Sequence, residues 1–397
     1  MSLIVTEPEN ADPSLFPVFA RATLVPERSR LLSAAPDRTV SAGEPFLANS
    51  DAGWTERDHE LPDSAAARIS RSVPENTRRS YGSHWNQYTA WCLAAGRVER
   101  PATAATLAAY MDHLADRMLA ESTMSAHLAA VLALHRAAGL QPPDTLAARR
   151  VIVDRARQRA DDPEAPAGPV RATPLLPADL RAMVKTLDLS TAAGLRDRAV
   201  ILLGWAMAGR RSEIAGLNIA DVRDAERGLR VTIRKSKTDQ AAKGTTVKIP
   251  AGRDPELCPR RAVRAWTAYL AGKGLHSGPL FVRVDRHGNV GAACGGRYRD
   301  LERTGRLSGQ AVATIISAAA AQAGLDQPSK DPLDDAGPKR YTGHSARRGF
   351  VTTALTRKDA DAAAIAEHGR WTRGSRAFWD YYEPDRDWDK HPGEGLL

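Results

Sequence analysis

From Glu75 onward, apolar residues fall at helical spacing. Tyr81, Trp85, Tyr88, Trp91 and Cys92 follow three- and four-residue steps, predicting a helix that Asn76 can cap. A second helix is expected over about 102–117, with Leu107, Tyr110, Met111 and Leu114 on one face. A third opens at Thr123 or Ser125, carries Leu128, Val131, Leu132 and Leu134, and ends at Gly139. A fourth spans about 144–160, so residues 70–160 form a helical domain.

The stretch 161–172, DDPEAPAGPVRA, concentrates proline and acid and reads as a linker. After it, Pro177 starts a helix, and 195–208 is apolar on nearly every side, as a helix inside a core would be. Alternation in Leu229, Val231 and Ile233 and in Val247 and Ile249, joined by DQAAKGT, predicts a β-hairpin in a small sheet. Helices follow at about 258–272, 308–322, 344–357, 360–368 and 374–382, giving a second domain over 173–397 with a C-terminal tail. Residues 1–65 mix proline and charge without a period and are expected to be a flexible arm, with short ordered pieces near 15–19. The fold class is mainly α with a small antiparallel β-sheet.

Charge sharpens this picture. The 397 residues carry a net +9, yet residues 1–65 hold five arginines against eleven carboxylates, a net of −6, so the remainder carries +15. Positive charge on the folded part suits a polyanionic partner such as nucleic acid. Cys92, Cys258 and Cys294 share no ligand spacing, which argues against a disulfide framework or a zinc site. No apolar run approaches the ~20 residues needed to cross a bilayer, and the N-terminus lacks a signal pattern, so a cytoplasmic protein is expected.

Four short motifs bear chemistry. Arg210 precedes Ser212 and Glu213 in MAGRRSEIAGL, where the buried helix stops; alone, such an arginine is more often an ordinary helix-end charge or a partner for a nearby Glu. Lys237 lies at the hairpin tip in RKSKTDQ, where a solvated lysine is commonplace. His344 and Arg347 stand three apart in GHSARRGF, on one face at the start of a helix whose N-terminus also favours phosphate. HGRWTRGSRAFWDYYEP places Trp371 ahead of a short helix containing Phe378, Trp379, Tyr381 and Tyr382, an aromatic set that packing alone would also explain.

Taken in order, these motifs resemble the catalytic domain of the tyrosine recombinase (phage integrase) family over about 173–392. ENTRRSYGSHWNQYTAWC is similar to the opening helix of that family's SAM-like core-binding domain. The resemblance implies a two-domain DNA clamp and a DNA integration and recombination enzyme, such as a mobile genetic element encodes. Strands would be cleaved and rejoined through a 3′-phosphotyrosine, without metal, ATP or another cofactor. It makes Arg210 and Arg347 the catalytic arginines, Lys237 the hairpin lysine, His344 the partner of Arg347, Trp371 the His-or-Trp position and Tyr381 the nucleophile, with Glu213 supporting Arg210. Trp371 to Tyr381 is ten residues where many members have nine, a spacing that would fall on Asp380. An insertion within 372–375 is therefore implied, and Tyr382 is the alternative nucleophile.

The residue types suit that reaction. Charge grows on the non-bridging oxygens of an attacked phosphodiester, and two guanidinium forks can meet it, with His344 and the Trp371 N–H as further donors. A phenol with pKa ~10 needs a base, for which His344 serves, and the leaving 5′ oxygen needs a proton, for which Lys237 serves. Arg78, Arg79, Arg149 and Arg150, with Arg155, Arg157 and Arg159, are candidate phosphate contacts on duplex DNA. The tail EPDRDWDKHPGEGLL would dock on a neighbouring protomer in a homo-tetramer on two DNA sites, or else pack on its own domain, and accessory DNA-bending proteins are conceivable partners. A type IB topoisomerase and a non-catalytic DNA-binding protein of the same fold stay open as alternatives.

Overall fold

The computed structural model describes residues 62–163, 171–236, 244–295, 304–326, 340–372 and 374–381. It divides into two compact units, Met1–Pro169 and Val170–Leu397.

The first unit is helical: α1 Asp63–Ser72, α2 Glu75–Ala94, α3 Ala104–Asp116, α4 Glu121–Ala137 and α5 Leu146–Asp161. Helix α1 begins inside the stretch expected to be an arm. Helix α2 starts one residue ahead of the expected cap Asn76, because the Pro74 carbonyl already accepts the Thr77 and Arg78 N–H groups at 2.9 and 3.0 Å. Helix α4 likewise opens before Thr123 and Ser125: Ala120 supplies the first carbonyl, and Glu121 sits in the first turn, where the helix dipole favours an anion.

The expected apolar faces meet. Trp85, Tyr88 and Cys92 of α2 pack with Leu107, Tyr110, Met111 and Leu114 of α3 and Leu128, Val131, Leu132 and Leu134 of α4. Two histidines join this core. His127 Nδ1 lies 2.8 Å from the Tyr110 hydroxyl, while His135 accepts the Ala102 N–H on Nε2 at 3.0 Å and faces the Val131 carbonyl at 2.8 Å through Nδ1. Burial holds both imidazoles below the usual histidine range, His127 at about 4, with the charges of His84 and Arg117 adding to the effect there. One expected DNA-facing residue is corrected here: Arg155 is buried, because its side of α5 packs inward, and Arg159 is paired with Glu121 at 3.2 Å. Arg149 and Arg150 stay exposed on the same helix.

The second unit is built around α7 Ala192–Ala206, preceded by α6 Pro177–Thr186 and followed by the short α8 Arg211–Gly216. Ala199 to Leu203 are all buried, so α7 is enclosed as its composition requires. Strands β1 Val222–Ala225, β2 Gly228–Ile233 and β3 Thr245–Pro250 form an antiparallel sheet in that order, with Val222 opposite Val231 and Val231 opposite Val247. Helices α9 Pro259–Gly272 and α10 Gly309–Gln322 add Trp266, Leu270, Val312 and Ile316 to the core. The chain then runs through α11 Ser345–Leu355, α12 Ala362–His368 and α13 Arg376–Trp379. Helix α13 is shorter than the expected 374–382 and leaves Tyr381 in the turn after it, where its N–H reaches the Phe378 carbonyl at 3.0 Å. Among the described residues, no helix is long and apolar enough to cross a membrane.

Candidate active site

The site grows from the end of α7. That helix closes with the Gly209 N–H on the Gly204 carbonyl and the Ala208 N–H on the Trp205 carbonyl, and Ala208 takes the left-handed conformation such an ending demands, at φ 46°. The turn leaves the last carbonyls of α7 available at the negative end of the helix dipole, where cations are favoured. Three side chains from the C-terminal segment occupy them. His368 Nε2 lies 2.9 Å from the Ala206 carbonyl, Arg370 donates to Met207 and Ala208 at 3.0 and 3.2 Å, and Arg347 Nη1 donates to Ala208 at 2.6 Å.

Arg210 emerges from the same turn as the residue capping α8. Glu213, 3 % exposed, receives four donors. Its Oε1 accepts from Arg210 Nη1 at 2.7 Å and from the Ser236 hydroxyl at 2.9 Å; its Oε2 accepts from the Arg210 N–H at 2.9 Å and from Arg370 Nη2 at 2.7 Å. Burial works against the carboxylate, but the Arg370 charge and the hydrogen bonds from Arg210 and Arg370 outweigh it and hold Glu213 below the usual carboxylate range. Among the described residues, the guanidiniums of Arg210, Arg347 and Arg370 outnumber the Glu213 carboxylate at the end of α7.

Arg347 is 2 % exposed and sits over the face of Trp371, its guanidinium carbon 3.5 Å from the ring centroid. Burial, then the neighbouring Arg210 charge, lowers its pKa to about 9, which still leaves it charged at neutral pH. Its Nη2 is buried with no hydrogen-bond partner among the described residues. Trp371 in turn meets Phe378 and Tyr381 edge to face at 5.4 and 5.2 Å.

His344 and Arg347 do not share one environment, as the three-residue spacing had suggested. His344 caps α11 and is exposed, whereas Arg347 points under Trp371. His344 instead lines a cleft of about 360 Å³ with Tyr381, Thr342, Arg171, Arg340 and Arg348. The cleft is held by the segment before α6, where the Thr173 N–H bonds the Arg340 carbonyl at 2.9 Å and the Leu175 N–H bonds the Ser345 carbonyl at 3.0 Å. Gly349 permits that approach, since a Cβ there would lie 1.9 Å from the Leu175 carbonyl oxygen. Arg171 and Arg348 both donate to the Asp380 carbonyl, at 2.9 and 3.4 Å, and the Arg348 guanidinium carbon stands 5.6 Å from the Tyr381 ring centroid.

The structure thus brings Arg210, Glu213, Arg347, Trp371 and Tyr381 together, with His344 across the cleft. Lys237, Tyr382 and the tail lie outside the described residues. Sequence reasoning missed Arg370, Arg348, Arg171, Arg340 and Ser236. Arg370 and Arg348 stand inside motifs already quoted, HGRW and HSARRGF, and adjacency to Trp371 and Arg347 was the available signal. Among the described residues, no group of three or more His, Cys, Asp or Glu could hold a metal ion.

Clustered cations and a tyrosine lining the same cleft make a site suited to phosphoryl transfer by charge stabilisation and covalent attack. The phage integrase family matches residues 174–386, and the chain belongs to that family. It is 30 % identical over 315 residues to the integrase/recombinase xerD homolog of Selenomonas ruminantium, covering 79 % of this chain and 84 % of that protein. It is 24 % identical over 309 residues to recombinase cre of Escherichia phage P1, covering 77 % and 83 %. The crystal structure of the XerH site-specific recombinase bound to a palindromic difH substrate, a post-cleavage complex, has the same fold, with a TM-score of 0.53 at 14 % identity over 85 % of this chain and 86 % of that one. The protein is a site-specific tyrosine recombinase, a DNA strand-transferring enzyme.

Proposed function

We propose that Tyr381 attacks the scissile phosphodiester to form a 3′-phosphotyrosine and release a 5′ hydroxyl, which a hydroxyl from another strand later reverses without ATP. Arg210 and Arg347 neutralise the non-bridging oxygens, His344 takes the phenolic proton, and Lys237 protonates the leaving oxygen. Trp371 orients Arg347 through its ring face and can donate its indole N–H. The observation that carries this reading is the convergence of Arg210, Arg347, Trp371 and Tyr381 near the end of α7, with Arg347 Nη2 buried and without a hydrogen-bond partner among the described residues. A buried unsatisfied donor is costly unless a ligand uses it.

The two units would close on duplex DNA as a clamp, with Arg78, Arg79, Arg149 and Arg150 on phosphates from the helical core-binding unit. A homo-tetramer on two sites in a bacterial cytoplasm is the proposed working form. Its support is an apolar cavity of about 610 Å³ lined in part by Leu202, Trp205, Ile249, Phe350 and Ile365, which suits Trp388 and the terminal leucines of a neighbour's tail.

The test is covalent trapping on nicked suicide duplexes from the native locus, comparing wild type with Tyr381→Phe and Tyr382→Phe on denaturing gels. An adduct lost only in Tyr381→Phe is expected. Loss only in Tyr382→Phe moves the nucleophile by one residue, and tight binding with no wild-type adduct overturns the mechanism.

A further inference from the structure

Arg370 is bonded more heavily than either arginine in the proposed mechanism. It is 9 % exposed, donates to the Met207, Ala208 and His368 carbonyls, and bonds Glu213 Oε2 at 2.7 Å. Its backbone is left-handed, at φ 61°, a conformation L side chains rarely adopt. The preceding Gly369 lets Trp371 fold tightly back, since a Cβ there would fall 1.7 Å from the indole. This turn sends Arg370 towards α7 while Trp371 covers Arg347. An arginine held at a strained position by four acceptors calls for an explanation.

We propose that Arg370 is a positioning residue for strand cleavage, fixing the Glu213 carboxylate that orients Arg210 and keeping that pair from becoming electrically neutral. The inference rests on the roles given above to Arg210 and Tyr381. Glu213 and Arg210 alone form a closed ion pair, whose charge offers little to a phosphate. With Arg370 on the second carboxylate oxygen, two cations share one anion and Arg210 retains positive charge towards the substrate. Arg370 also ties Glu213 to the main chain of α7, so the carboxylate cannot follow Arg210 when that side chain engages DNA. It touches no reacting atom and acts through Glu213.

The test uses the full-length protein on nicked suicide duplexes in single turnover, with adduct formation followed over a range of protein concentrations. Arg370→Gln keeps hydrogen-bonding capacity without charge, and Arg370→Lys keeps charge with a single point of attachment. Supporting groups of this kind typically contribute about 10–100-fold. The expected order is a maximal rate about 100-fold down in Arg370→Gln and about tenfold down in Arg370→Lys, with half-saturation within threefold of wild type in both. Equal losses in the two variants, an effect on half-saturation instead of rate, or rates within threefold of wild type would overturn the role. If Arg370→Gln loses its circular dichroism, Arg370→Lys decides: about tenfold slower cleavage at unchanged half-saturation upholds the role, and an unchanged rate or weaker binding overturns it. Absence of a Tyr381-dependent adduct from wild type would instead sink the mechanism on which the inference stands.

Discussion

Replacing Glu213 by Gln removes one negative charge and little volume, which isolates the electrostatics of the site. Four donors converge on the carboxylate, two on each oxygen, at 2.7 to 2.9 Å. A glutamine offers one oxygen, and its amide nitrogen then faces either the Arg210 N–H and Arg370 Nη2, or Arg210 Nη1 and the Ser236 hydroxyl, which can turn to accept from it. At least one charged donor therefore loses its acceptor, at about 1–3 kcal/mol or more. The guanidiniums of Arg210 and Arg370 also lose the charge of this carboxylate, and breaking a buried ion pair from one side costs about 3–5 kcal/mol. These losses overlap, so a total near 4 kcal/mol is expected. For a unit of this size each kcal/mol moves the midpoint by about 2–4 °C, giving a fall of about 8–16 °C in the calorimetric transition that responds. The sign with pH follows from the depressed carboxyl: the wild-type advantage is complete at pH 7 and fades as pH falls through and below the ordinary carboxylate range near ~4. A shift under about 3 °C at pH 7, or an advantage that grows in acid, refutes the assignment of Glu213 as an ionised hub.

Gly349→Ala places a Cβ 1.9 Å from the Leu175 carbonyl oxygen and forces apart the segment that closes the cleft; a loss of about 1–3 kcal/mol is expected in urea titration, and an unchanged midpoint would show that α11 can move aside freely. In the helical unit, His127 is held neutral with a pKa near 4 against an ordinary 6.5, so its contribution of about 3 kcal/mol is present above pH 6.5 and lost as pH falls towards 4. Emission from Trp85 and Trp91 should report that loss, and urea stability constant from pH 7 to 4 would contradict it.

Much of the fold was legible because burial writes itself into apolar spacing. The faces of α2, α3 and α4, the enclosed α7 and the pairing of β2 with β3 all follow from side-chain period. Strand β1, VRDA, escaped because its outer-edge residues alternate too weakly to stand out. The start of α2 was misjudged because the deciding group is the Pro74 carbonyl and not a capping side chain. At the site, Arg210, Glu213, His344, Arg347, Trp371 and Tyr381 could be named from motif order. For Arg370 the sequence offers only its place beside Trp371, because its acceptors are mostly carbonyls, which no residue type advertises. Charge alone makes Arg155 a candidate phosphate contact, and only the packing of α5 shows that it is buried.

The carbonyls ending α7 carry a consequence for how this site tolerates evolutionary drift. Met207 and Ala208 hold Arg347 and Arg370 through atoms that every amino acid possesses, so no exchange of side chain can delete those anchors. What locates them is the number of residues in the helix. Adding or removing one residue would rotate the anchors by about 100° and move them about 1.5 Å along the axis. Sequence identity along α7 can therefore wander under the demands of packing, while its length is the quantity selection must guard.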